Sequence, residues 1–322
     1  MGRRDRKPRK PASQDPKAQG GAKSVVRDVL IAVLLVGLVF GGILAYTQVW
    51  PPMVVIESKS MQHSDTESFL GVIDTGDLVL VQAARSKADI VTYVEGRNTG
   101  HQTYSDYGDV IIFHAIDAIA GRGQYDNKDP VIHRAIVYLQ WDAASGGFDI
   151  PALSGAGNRG KWGCTSGCNA AAGPNDLRGT IWISIGPWNV SVGLDAYRNG
   201  AAAWSRNSQP YSVYVTMGDN NRGDPDDWAT PHEAIVGKAR GEIPWFGLLK
   251  LTLLKTPNCC ASWGCVGTGN PCYAAKNSWD ALVLSLAVLV ATPFLLDLGA
   301  SAIEKRRARK REKTTLPEPQ RA

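Results

Sequence analysis

The sequence predicts a mostly β domain held between two membrane-spanning helices, and three observations lead there. Two apolar runs, residues 29–46 and 281–296, contain no charged residue. At about 1.5 Å per residue, the first is long enough to cross most of a bilayer core of roughly 30 Å. Between the two runs, stretches rich in Val and Ile alternate with turn-forming Gly, Pro, Asp and Asn, the pattern of short strands rather than helices.

Residues 1–28 carry nine Lys/Arg against three Asp and few large apolar side chains, so they read as a basic, disordered tail. The first span is placed at 29–48. A removable signal peptide is disfavoured by the long polar extension before it and the lack of a small-residue cleavage site after it. Pro51-Pro52 then breaks the helix, and residues 53–56 read as a strand. Further strands are expected at 78–81, 110–113, 131–139, 211–216 and 235–239, with a turn-rich stretch at 95–108. Residues 154–205 form an insertion in the 49–280 domain. It opens with Gly, Ala and Ser around a close cysteine pair, with little to pack, and continues with strands at 180–185 and 188–192. Residues 244–251 suit either a core segment or a surface lying on a bilayer. The second span occupies 281–303, where Pro293 is tolerable and Trp279 is an interfacial anchor. A second basic tail, 304–322, holds eight Lys/Arg against three Glu.

The formal charge of the whole chain is only +5, so the domain between the tails is net acidic. Basic tails flanking apolar runs point to topology signals rather than to nucleic-acid binding. Both tails are expected in the cytoplasm and the 49–280 domain outside. All six cysteines fall in that domain, which suits an oxidising compartment and disulfides. Cys164 is expected to pair with Cys168, with two further bridges among Cys259, Cys260, Cys265 and Cys272. Zinc is disfavoured, because the second group has no paired C-x-x-C and no nearby histidine.

Chemistry concentrates in four short stretches. Glu57-Ser58-Lys59-Ser60-Met61 follows the first apolar run by about a dozen residues. Then come Asp74-Thr75-Gly76-Asp77, Val131-Ile132-His133-Arg134, and Met217-Gly218-Asp219-Asn220-Asn221. A serine hydroxyl is a poor nucleophile at neutral pH unless a base lies within hydrogen-bond reach, and the base profits from an orienting carboxylate. In this order, behind a membrane span, the four stretches resemble the boxes of type I signal peptidases, specifically the serine–histidine branch of archaea and the endoplasmic reticulum.

The resemblance covers about residues 53–247 with gaps and leaves the insertion outside. It implies a β-rich peptidase domain that takes its substrate as an added strand, with small residues before the cut. In that reading Ser60 is the nucleophile and His133 the general base. Asp219 supports the site, and a second acid comes from Asp224, Asp226 or Asp227, of which Asp226 fits the spacing best. Ser60 N–H and the Ser58 hydroxyl are oxyanion-hole candidates. No metal or organic cofactor is implied. The implied partners are signal-peptide-bearing preproteins, the lipid bilayer and the protein-export translocon, with no nucleic acid. The implied location is a cell membrane, or alternatively that of the endoplasmic reticulum. Residues 237–241 resemble the family's closing Gly-Lys/Arg segment, a structural strand and turn.

Two departures stand out: Lys59 replaces a glycine, and Gln62-His63 replaces x-Pro. Lys59 raises the possibility of a serine–lysine dyad, although neighbours in an extended chain point to opposite sides. The departures also keep open a related protease with a narrow substrate set, or an inactive assembly or adhesion module.

Overall fold

The computed structural model describes residues 20–115, 130–169, 173–204, 210–221, 223–254 and 274–315. The chain divides into two units, residues 1–48 and 49–322. The first contains one helix, α1 (Gly20–Thr47), of which Val25–Thr47 is long and apolar enough to cross a membrane. The helix starts well before residue 29, where the span was expected and a disordered tail was to end. Apolarity defines what a bilayer accepts, whereas Ala, Lys and Arg extend a helix into water equally well.

The second unit is β-rich. In chain order it comprises β1 (Met53–Val55), β2 (Leu78–Gln82), α2 (Tyr93–Thr99), β3 (Gln102–Thr103), β4 (Asp106–Tyr107), β5 (Val110–Phe113) and β6 (Val131–Asp142). There follow β7 (Gly147–Asp149), β8 (Trp162–Ser166), β9 (Thr180–Ile185), β10 (Trp188–Gly193) and α3 (Leu194–Trp204). The last elements are β11 (Val213–Met217), β12 (Ile235–Ile243), α4 (Gly247–Leu253) and α5 (Ser278–Thr315). A curled antiparallel sheet runs β1-β2-β12-β5-β6-β11, with β7 on the far end of β6. Each strand expected from the sequence is present.

β5 shows why this sheet forms. Val110 and Ile112 enter one apolar cluster with Ile56, Met61, Val79 and Ile132. Ile111 and Phe113 enter another with Ile90, Ala135 and Tyr214. The period-two alternation therefore feeds both faces of the sheet, which is why the strand is apolar throughout.

Residues 154–169, the opening of the insertion, are mostly exposed, as expected, and the later strands of the insertion pack on the domain. Strands β8, β9 and β10 form their own sheet. Ile181, Ile183, Val190, Val192 and Leu194 share one cluster with Ile136, Leu139, Val213 and Val215 of β6 and β11. The expected disulfide is present, with Cys164 and Cys168 sulfurs 2.01 Å apart. Cys259, Cys260, Cys265 and Cys272 lie outside the described residues.

Three helical segments differ from expectation. Residues 93–99 form α2 instead of the first part of a turn, opened by a capping box in which Thr92 and Glu95 exchange hydrogen bonds. α3 was not expected. Residues 244–251 lead into α4, whose Leu248 and Leu251 pack with Leu282 of α5 while Leu249 stays exposed. α5 is long and apolar enough over Ser278–Arg307 to cross a membrane, and it continues past the expected boundary at 303. Asn277, just before it, accepts from Ser68 N–H at 2.8 Å and donates to Ser68 O at 3.0 Å, fastening the helix to the β domain.

Candidate active site

Ser60 lies in a turn between β1 and β2 that is pinned from several sides. Met61 is fully buried in the core and sets the turn's depth. The turn closes with Gln62 N–H donating to Lys59 O at 3.0 Å. The Asp74–Asp77 stretch supports it. The Thr75 hydroxyl lies 2.9 Å from Ser58 O and 2.8 Å from Gln62 Oε1, and His63 N–H donates to Asp74 Oδ1 at 2.8 Å. Gly76, at φ +95°, lets the chain turn back so that its N–H donates to Ile56 O.

On the other side, the loop after β11 presses against the turn. Asn220 N–H donates to Ser60 O at 2.8 Å, and its side chain donates to Lys59 O at 3.0 Å. The approach needs Gly218: a Cβ there would fall 2.4 Å from Ser60 O.

β6 brings His133 to this turn. Its ring is largely buried, with Phe113 edge-on at 6.5 Å between centroids. His133 Nε2 is 2.8 Å from Ser60 Oγ, and Nδ1 is 2.7 Å from Asp226 Oδ2. Of the three aspartates the sequence left open, Asp226 is the one that meets the imidazole, while Asp224 and Asp227 are exposed. The Thr216 hydroxyl also donates to Asp226 Oδ2, at 2.5 Å. Ser58 Oγ lies 3.2 Å from Ser60 Oγ. Lys59 Nζ points to Asp65, 3.8 Å from its Oδ1.

Asp219 does not touch His133. It receives a two-pronged bond from Arg134, with Nε to Oδ1 at 2.8 Å and Nη2 to Oδ2 at 2.6 Å. Arg134 is 1% exposed, and its Nη1 also donates to Thr103 O, Tyr107 O and Gly108 O around the β3–β4 hairpin. A buried guanidinium is thus saturated with acceptors, as it must be to remain charged.

Sequence reading missed two neighbours. His63 Nε2 lies 3.8 Å from Asp219 Oδ2, and Nδ1 lies 3.8 Å from Asp74 Oδ1. Burial disfavours its charged ring, but the Asp74 hydrogen bond and the fields of Asp219 and Asp74 outweigh this and raise its pKa. The second is Tyr197 of α3, whose hydroxyl donates to the Asp226 carbonyl. Only a three-dimensional contact reveals it, since no motif in the insertion marks that tyrosine. Chemically, the arrangement couples a hydroxyl to a base that is itself held by a carboxylate, and among the described residues no cluster of side chains suits a metal ion. No family model matches the chain, and no curated protein or solved structure shows significant similarity to it.

Proposed function

We propose that this chain is a membrane-anchored serine endopeptidase that removes N-terminal signal peptides from exported preproteins. The observation that carries the reading is the continuous line from Ser60 Oγ through His133 to Asp226, with contacts of 2.8 and 2.7 Å. Ser60 Oγ attacks the scissile carbonyl carbon as its proton passes to His133 Nε2. Asp226 accepts the Nδ1–H and stabilises the imidazolium. The imidazolium then returns the proton to the leaving amine, and water, activated by the same base, releases the acyl group from Ser60. Ser60 N–H and the Ser58 hydroxyl would receive the developing oxyanion. Asp219 acts at a distance, locking the loop through Arg134.

Two helices of membrane-spanning length, basic tails beyond both, and a disulfide in the domain between them support an outward-facing site with both termini inside. Preproteins, the bilayer and the export translocon are the partners in this reading.

One observation favours a narrower substrate set. A groove of about 360 Å³ lies beside the Ser60 turn, lined by Lys59, Gln62, His63, Ser64, Asp65 and Asn220, all of them polar. A preprotein panel incubated with the full chain in detergent tests both readings. Cleavage of several unrelated signal peptides supports the general peptidase, and cleavage of one class supports the narrow one. Ser60→Ala should abolish cleavage while the thermal melt stays unchanged. Full activity in that variant would sink the mechanism.

A further inference from the structure

We infer that the insertion is a working part of this site: Tyr197, on α3, is a positioning residue that holds Asp226 in line with the His133 imidazole. The inference rests on the serine–histidine–aspartate reading above and names what fixes its acid. Asp226 sits in the segment between β11 and β12, outside any strand or helix, so the local backbone fold alone does not orient it. Two neighbours do. From β11, Thr216 O accepts the Asp226 N–H at 2.9 Å and the Thr216 hydroxyl donates to Oδ2 at 2.5 Å. From α3, the Tyr197 hydroxyl takes the Asp226 carbonyl. With the N–H held by one element and the C=O by another, the residue cannot swing, and Oδ2 stays 2.7 Å from His133 Nδ1.

Tyr197 suits this task. It is 6% exposed, so water does not compete for its hydroxyl. Burial, reinforced by the negative charges of Asp226, Asp227 and Asp224, pushes the phenol pKa upward and keeps it a donor at any working pH. α3 is itself anchored at its root. Leu194 is buried, and its N–H donates to Gly179 O at 2.8 Å, beside the start of β9. β9 in turn pairs with the strand that carries Cys164.

The test compares the full chain with Tyr197→Phe, Asp226→Asn and the double variant on one signal-peptide substrate. A proton spectrum of each in water reads the His133 Nδ1–H directly. Tyr197→Phe should lower kcat roughly three- to tenfold, the rate equivalent of one neutral hydrogen bond, with KM unchanged. It should also weaken or shift the downfield Nδ1–H resonance. In the Asp226→Asn background the tyrosine change should add nothing, because it acts through that residue. Additive losses, an unaltered resonance, or loss of the native spectrum would overturn the inference and leave Tyr197 as ordinary core. If the unmodified chain cleaves no signal peptide, the proposed function falls, and the resonance, which needs no substrate, still decides the positioning.

Discussion

His133 and Arg134 are neighbours on β6, yet they serve opposite ends of one loop: the first meets Asp226 and the second grips Asp219. Their substitutions should separate accordingly. His133→Ala should eliminate cleavage at every pH, because it removes the proposed base for Ser60. Arg134→Ala leaves Asp219 without its counter-charge and several loop carbonyls without a donor. Loss of one partner of a buried pair costs about 3–5 kcal/mol, read as a lowered melting temperature. Lys59→Ala should retain most activity, because its ammonium faces Asp65 rather than Ser60. An inactive Lys59→Ala beside an active His133→Ala would reverse the assignment of the base. At this scale the serine and the histidine were legible through their neighbours in sequence. The acid was legible only to within three residues, since spacing along a loop does not fix which side chain turns inward.

Among the elements, strands announced themselves and short helices did not. Val110-Ile111-Ile112-Phe113 is β-branched and apolar enough to admit one reading. α2 has seven residues, fewer than two full turns of useful periodicity, and its one sequence signal is the Thr92–Glu95 capping box. α3 has a mixed composition and is held by what it packs on, which a local window does not contain. Two substitutions test these elements. Thr92→Ala should cost about 1 kcal/mol through the lost cap. Gly76→Ala should cost more, on the order of 1–3 kcal/mol, because φ is +95° and the new Cβ would lie 2.5 Å from Leu248 Cδ2. Thermal melts of both variants check the order, and equal or reversed losses would contradict this account of the turn.

For the molecule as a whole, the sequence revealed a β domain between two apolar helices but not how its parts meet. Ser60 and His133 are 73 residues apart, and His133 and Asp226 are 93 apart. The insertion's reach to Asp226 crosses elements that share no motif.

The same folding buries acids, with a consequence for stability. Burial pushes Asp77 up to about 6 and Glu242 up to about 7, the neighbouring carboxylates adding to each. A carboxyl whose folded pKa lies above its unfolded value stabilises the fold below the unfolded value, and that contribution is lost as pH rises through the folded one. Melting temperature should therefore fall between about pH 4 and 7. The fully buried Asp77 contributes on the order of 2–3 kcal/mol, and the partly exposed Glu242 less. Asp89 and Asp142, held low first by backbone N–H donors, act in the opposite sense, but only on the acid side of that window. Glu242→Gln should flatten the upper part of the fall, and a level profile in the parent protein would refute the assignment.

Met217 pairs with Arg134 of β6, Asp226 meets His133 of β6, and between them Asn220 N–H donates to Ser60 O. From these three ties, Asn220 and Asp226 are expected to open together, as one cooperative unit. The Asn220 and Asp226 amides should then exchange with deuterium at one common rate, set by one opening event. Each such opening would part Ser60, His133 and Asp226 together, so the proposed site would pass between armed and disarmed with nothing partly assembled in between.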